Sequence, residues 1–242
     1  MKATLIDYTG NGHSNKDRAI DLLIFTKSTR LEMKPGLIDE IERWDYQKKL
    51  QELDYMSKTI PSSWEFVDYT FLITGVTRGF THQFVRTRTA SFAQQTMRVL
   101  NVGGWTYGKG PTIKDSNKEV YEEAMSMIAD TYDTLISNGA AIEDARGVLP
   151  TNIHTNIVVK MNMRTFVEMV RKRSSARTQG EYRDVLEAMK DAVLDVHPWV
   201  SMFIHRNVDV AIAQLEEEIL ANVNDSGKRI TMIKLLDEIR KG

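Results

Sequence analysis

Apolar and polar positions alternate through "ATLIDYT", Ala3 to Thr9, and with its β-branched content this predicts a first strand over residues 2 to 8. The turn-forming "GNGHSNKD" hands over to a helix from about Asp17, and Pro35-Gly36 closes that region. From Leu37 to Met56 the apolar Leu37, Ile41, Trp44, Leu50 and Leu53 recur at mostly three-to-four spacing with charges between them, which predicts one amphipathic helix. "FVDYTFLITGV", Phe66 to Val76, is nearly all apolar, aromatic or β-branched, the composition of a buried strand. "HQFVRTRTASFAQQTMRV", His82 to Val99, reads as partly helical and then extended. "NVGGWTYGKGPTIKDSN" has four glycines, a proline and no periodicity, so a long loop is expected from about Asn101 to Asn117.

Helical spacing returns in "KEVYEEAMSMIADTYDTLISNG", with Asn138-Gly139 as its stop, and in the short "AAIEDARGVLP", ended before Pro150. "TNIHTNIVVKMN" predicts a strand and "NMRTFVEMVRKR" a helix. Two or three further helices fill the chain from about Glu181 to Arg240, broken at Pro198.

With 242 residues, 42% hydrophobic and 27% charged, the chain is expected to be one globular domain over residues 1 to 242. No apolar run approaches the roughly 20 residues needed to cross a bilayer. "MKATLIDYTG" lacks the apolar stretch of a signal peptide, so a cytoplasmic protein with no membrane partner is expected. Cysteine is absent, which removes disulfides, thiolate metal sites and any cysteine nucleophile. His13, His82, His154, His197 and His205 show no paired ligand spacing, so no metal is expected. His82 and His154 are read as hydrogen-bonded structural residues, and Trp44, Trp64 and Trp199 as core aromatics. A net charge of -1 argues against bulk nucleic-acid binding, and no nucleic acid is expected as partner.

The charge is nevertheless segregated. No acidic residue occurs between Asp68 and Asp115, while Arg78, Arg86, Arg88, Arg98, Lys109 and Lys114 all fall inside that gap. A second cluster, Arg164, Arg171, Lys172, Arg173 and Arg177, is relieved only by Glu168 before Glu181. Guanidinium groups offer two parallel donors to phosphate or to a carbonyl-bearing ring, so two such segments converging in space would bind an anionic ligand. The alternative is solvated surface charge, or pairing with the acidic helices.

These residues resemble the flavin-dependent thymidylate synthases of the X type. The family's signature, R-H-R followed by S, E, S and a final R, stands here as Arg86-Thr87-Arg88, Ser91, Gln94, Thr96 and Arg98, preceded by His82-Gln83-Phe84 in place of R-Q-W. "ARGVLP", "NMRTFVEMVRKR" and "SSWEFVDYTF" are similar to three further family blocks, in order and register over Ile60 to Arg173. The resemblance implies that Ser62, Arg86, Thr87, Arg88, Gln94, Asn162, Arg164 and Glu168 contact flavin adenine dinucleotide (FAD). It implies that Gln83, Gln94, Gln95, Thr96, Met97, Arg98, Arg146 and Arg173 hold deoxyuridine monophosphate (dUMP). Arg173 is the implied catalytic group, stabilising the uracil ring as its N3 proton is lost, and both basic clusters would share one pocket.

The implied reaction is a methyl transfer, dUMP to dTMP, with methylenetetrahydrofolate as carbon donor and NADPH as reductant. The implied assembly is a homotetramer with sites at subunit interfaces. The expected fold class is α+β: a mainly antiparallel sheet of strands near 2 to 8, 65 to 75, 91 to 100 and 151 to 160, packed by helices, with a helical C-terminal part. The chain departs from the signature at Thr87 (histidine in the family), Gln94 (glutamate) and Thr96 (serine), and Ile60 and Phe66 replace two histidines. Those changes motivate an alternative, flavin-dependent hydroxymethylation of dUMP or dCMP. A second alternative, a non-enzymatic nucleic-acid-binding module, is disfavoured by the lack of aromatic residues within "RKRSSAR".

Overall fold

The computed structural model describes all residues except 29–32, 60, 101–102, 115, 174–179, 205–206 and 242. Ile60, Asn101, Asp115, Arg177 and His205, named above, lie outside the described residues. Four strands pair antiparallel in the order β1-β2-β4-β3: β1 Lys2–Tyr8, β2 Asp68–Thr77, β3 Ala90–Gln94 and β4 His154–Asn162. The α+β reading with an antiparallel sheet is what the chain adopts.

Period-two side-chain direction puts Tyr69, Phe71 and Ile73 of β2 and Ile157, Val159 and Met161 of β4 into the core. In the cross-strand row one residue over, Leu72, Val158 and Ala93 lie opposite one another on the other face and stay half-buried or exposed. The third strand is shorter than its sequence suggested. It ends at Gln94, because the Thr96 hydroxyl accepts from the Arg98 amide and turns the chain away from the ladder.

Helices α1 (Arg18–Lys27), α2 (Leu37–Glu42) and α3 (Tyr46–Ser57) precede β2. The single helix expected over Leu37 to Met56 is thus two, since the Asp45 carboxylate accepts from the Gln47 amide at 2.9 Å and starts α3 afresh. Lys49 of α3 is buried against Asp21 of α1 at 2.7 Å, an ion pair that ties the two helices together. Trp64 and Trp199 are core residues, whereas Trp44 is only partly buried and carries the Lys48 ammonium 3.5 Å over its ring.

Between β2 and β3 lies α4 (Arg78–Phe84). Next come α5 (Ser116–Ser137) and α6 (Ile142–Ala145), then α7 (Met163–Arg173) and α8 (Gly180–Val196) after β4. The stop of α5 is a left-handed Gly139 at φ 86° whose own amide and that of Ala140 return to Ile136 and Leu135. Phe166 and Val167 of α7 and Val185 and Met189 of α8 join the main core. The chain closes with α9 (Ser201–Ile204), α10 (Asn207–Asn222) and α11 (Ser226–Lys241), the last two around a small cluster of their own.

Two contacts fix the junction that leads into the basic loop. Glu181, in the first turn of α8, accepts from the Thr77 amide at 2.7 Å and from the Thr77 hydroxyl at 2.6 Å, and that hydroxyl accepts in turn from the Phe80 amide, capping α4. Over the same threonine runs Gly108 of the long loop. A Cβ there would lie 2.5 Å from the Thr77 methyl, so only glycine permits the approach. The Gly108 amide donates to the Asn152 carbonyl and its own carbonyl accepts from the Tyr121 hydroxyl, so the loop is held at its middle.

The Tyr69 hydroxyl meets His197 Nδ1 at 3.0 Å, with the rings of Tyr8 and Trp199 against the imidazole. Burial pushes His197 down to about 4. The unfolded chain therefore takes up a proton near pH 6.5 that the folded chain refuses until about 4. Stability from this group is complete above pH 6.5 and falls as pH drops toward 4, by about 3 kcal/mol. His197→Gln is expected to remove that part of the decline, read from urea midpoints at pH 7 and pH 4.5. Glu181→Ala leaves the Thr77 amide and hydroxyl without their acceptor and is expected to cost about 1–3 kcal/mol by denaturation at pH 7, with Glu181→Gln retaining part of it.

Candidate functional site

Capped by Thr77, α4 delivers the chain into Arg86-Thr87-Arg88 just before β3. Arg86 and Arg88 are exposed, and neither guanidinium has an ionic partner among the described residues. Thr87 between them is turned inward: its hydroxyl lies 3.9 Å from the Met169 sulfur and hydrogen-bonds the Tyr182 hydroxyl. Burial raises the Tyr182 pKa, so the phenol stays neutral. Arg173, at the end of α7, lies with its guanidinium 5.3 Å over the Tyr182 ring, a cation–π contact. Arg173 and the basic loop thus meet on one tyrosine.

The remaining residues expected at the flavin sit nearby. Asn162 ends β4, and its side chain accepts from the Thr165 amide at 2.9 Å, starting α7. Arg164 is held by Glu65 at 2.7 Å and by Glu168 at 3.1 Å, and Lys172 also reaches Glu168. The Arg164 hydrogen bond is the main reason the Glu168 carboxyl titrates below its ordinary range. Ser62 is exposed in the 3-10 turn Pro61–Phe66, which packs against α7 and supplies Glu65. Arg164 is therefore already neutralised by carboxylates, unlike Arg86 and Arg88.

A second group forms at the far end of β3. The Gln94 amide donates to the Thr81 hydroxyl at 3.0 Å, and that hydroxyl donates to the Arg78 carbonyl, which orients the Gln94 oxygen away from the helix. Gln95 pairs twice with Asn156, by backbone amide and side chain. Arg98 meets Glu143 at 2.9 Å, while Arg146 donates to the Glu143 carbonyl at 3.0 Å. Both members of the Arg98–Glu143 pair are well exposed, so it is weak and easily exchanged. An open groove of ≈ 420 Å³ runs along Arg98, Val99, Ala141, Ile142 and Glu143.

Arg78 belongs to this group, although only its place in the acid-free run marked it in the sequence. It donates to the Gln95 carbonyl at 3.0 Å, and its Nε is buried with no hydrogen-bond partner among the described residues. Burial, and after it the neighbouring Arg146, lowers the Arg78 pKa. Like charges packed together around an unsatisfied donor are the electrostatic signature of a place for an anion.

Within one chain the two groups lie toward opposite ends of the sheet. Asn162 and Asn156 mark their positions on β4, six residues and so about 20 Å apart at 3.3 Å per residue. Arg173 falls with the first group and Arg98 and Arg146 with the second. Gln83 is exposed on α4, and Met97 is half-buried in the turn after β3. Of the two histidines read as structural, His154 bonds the Thr106 hydroxyl at 2.9 Å, but His82 is exposed on α4 because the helix turns its neighbours Thr81 and Phe84 inward instead. Among the described residues no three His, Asp or Glu side chains are placed to hold a metal ion.

Arg86 and Arg88, without an ionic partner among the described residues, flank the inward-turned Thr87, and Arg78, Arg98 and Arg146 make up the second arginine group. A family model described as thymidylate synthase complementing protein matches residues 4–199. The flavin-dependent thymidylate synthase of Saccharolobus solfataricus is 33% identical over 193 residues, 76% of this chain and 72% of that protein. That of Clostridium tetani is 31% identical over 218 residues, 82% of this chain and 84% of that protein. Among solved structures, the UMP/dUMP methylase PolB of Streptomyces cacaoi, bound with 5-Br dUMP, shares the fold at a TM-score of 0.68 and 19% identity, over 84% of this chain and 94% of that one. A match of this extent to the family model, with relatives of this identity, shows that the chain belongs to the flavin-dependent thymidylate synthase family.

Proposed function

We propose that this protein methylates dUMP to dTMP with FAD, NADPH and methylenetetrahydrofolate, in the cytoplasm. The observation that carries the reading is the pair of basic groups, one at Arg86 and Arg88 without an ionic partner among the described residues and one crowded at Arg78, Arg98 and Arg146, on a chain without cysteine. With no thiolate to attack the pyrimidine, the ring has to be activated by charge. Bound flavin, reduced by NADPH, supplies the reducing equivalent for the transferred carbon.

Arg86 and Arg88 hold the FAD diphosphate, with Asn162, Ser62 and, once exchanged from its carboxylates, Arg164 along the same edge. Arg98 and Arg146 grip the nucleotide phosphate, and Arg78, close enough to Arg146 to feel its charge, adds positive potential to the same group. Gln94 offers a neutral acceptor where the family carries a carboxylate. Arg173 stabilises negative charge on the uracil ring as it develops, a preorganised contribution of about 3 kcal/mol or more.

The distance between the two groups favours a site shared between subunits: the phosphate-binding end of one chain meets the Arg173 end of another in a homotetramer. The row of half-buried Leu72 and Val158 and exposed Ala93 on the outer sheet face provides apolar surface for such an assembly. Among the described residues no helix is long and apolar enough to cross a membrane.

Purified protein is expected to be yellow, to bleach with NADPH under nitrogen, and to convert dUMP and methylenetetrahydrofolate to a product with the mass of dTMP. A colourless protein that takes up no added flavin overturns the reading, and a product heavier by one oxygen identifies the hydroxymethyl transfer. Arg173→Ala is expected to retain flavin absorbance while turnover falls by about 100-fold or more. Turnover at the wild-type level removes Arg173 from the chemistry.

A further inference from the structure

Helices α10 and α11 lie beyond residue 199, where the family match ends, and are joined by a three-residue turn that makes them an antiparallel hairpin. Arg229 closes the turn through two donors to the Val223 carbonyl, and the Asp225 carboxylate accepts from the Lys228 amide to start α11. Ile212 and Ile219 from α10 and Leu236 from α11 form the buried seam, with Val223 and Ile233 packed against it. Helices of 16 residues are marginal alone, and this seam is small.

A second apolar face remains uncovered. Leu215, Met232, Leu235 and Ile239 are 50%, 40%, 54% and 58% exposed. Leu215 follows the seam residue Ile212 by three positions, while Met232 precedes Leu236 by four and Ile239 follows it by three. At about 100° per residue all three turn in the same sense from the seam, and in two antiparallel helices the same sense is the same side. Leu235 extends that strip, so the hairpin presents one continuous apolar side.

The charges say what covers it. On the side of that face α10 carries Glu218, one position before Ile219, and α11 carries Lys228, eight before Leu236, and α10 has no basic residue. A second hairpin can stack face to face about a two-fold axis across the helices or about one parallel to them. The first sets acidic α10 on acidic α10. The second sets acidic α10 on basic α11; in either, every neighbouring pair is antiparallel, as in a four-helix bundle, so charge makes the choice.

We infer that a second copy of this chain covers the face formed by Leu215, Met232, Leu235 and Ile239, hairpin on hairpin, about an axis parallel to the helices. The contact lies outside the segment that carries the catalytic reading and does not depend on it.

The chain has no cysteine, so Met232→Cys places a single thiol in each copy. About the parallel axis the two thiols sit at the same height across the bundle core, within reach of a short bismaleimide. Most of the full-length variant is expected to run as a covalent dimer on a denaturing gel. Leu235→Gln with Ile239→Gln in the same background is expected to leave it monomeric. The absence of a dimer from Met232→Cys, as when the hairpin packs on its own chain or on another protein, overturns the inference. So does a dimer undiminished by the two glutamines. Covalent mass is read here, so the result stands apart from flavin content and turnover.

Discussion

One carboxylate organises the approach to the candidate site. Glu181 takes both polar groups of Thr77, and Thr77 caps the short helix whose last turn releases Arg86-Thr87-Arg88. The helix is seven residues long, too short to hold its direction by its own hydrogen bonds. Its orientation is borrowed from α8, whose own first turn gains from the negative charge placed there. Tyr182, the residue after Glu181, then receives Thr87 and Arg173. Two consecutive residues of α8 therefore align the basic loop and the end of α7, segments that sequence places far apart.

The arginines divide by how they are neutralised. Arg164 has two carboxylates within hydrogen-bond distance, Arg98 has one weak exposed partner, and Arg86 and Arg88 have no ionic partner among the described residues. An anion would be least opposed at the last two, where no ion pair among the described residues has to be broken. At Arg164 a ligand must compete with charge-assisted bonds already formed. Residue type alone does not separate these cases. Partner geometry does.

The strands and most helices were legible because their signals are local: alternation in β2 and β4, the Asn138-Gly139 stop, the break at Pro198. The split of the helix expected over Leu37 to Met56 was hidden because Asp45 can serve equally as a surface charge or as a cap, and only the chain's path decides. Arg78 was legible only as charge, since what distinguishes it is a buried Nε with no hydrogen-bond partner among the described residues and the proximity of Arg146, both products of folding. The separation of the two basic groups was hidden for a related reason. Motif order along the chain carries no information on which end of a strand each motif reaches.

The close approach at Gly108 changes the character of the longest loop. A span rich in glycine suggests one flexible excursion, but with its midpoint fastened over Thr77 it becomes two short arms. Closure entropy grows with the logarithm of length, so each arm can lengthen at a cost of only about 0.6 kcal/mol per doubling. The midpoint cannot accept even one methyl group without displacing Thr77. Length variation among homologues of this chain should accordingly collect on either side of that glycine, leaving a fixed point inside a segment otherwise free to diverge.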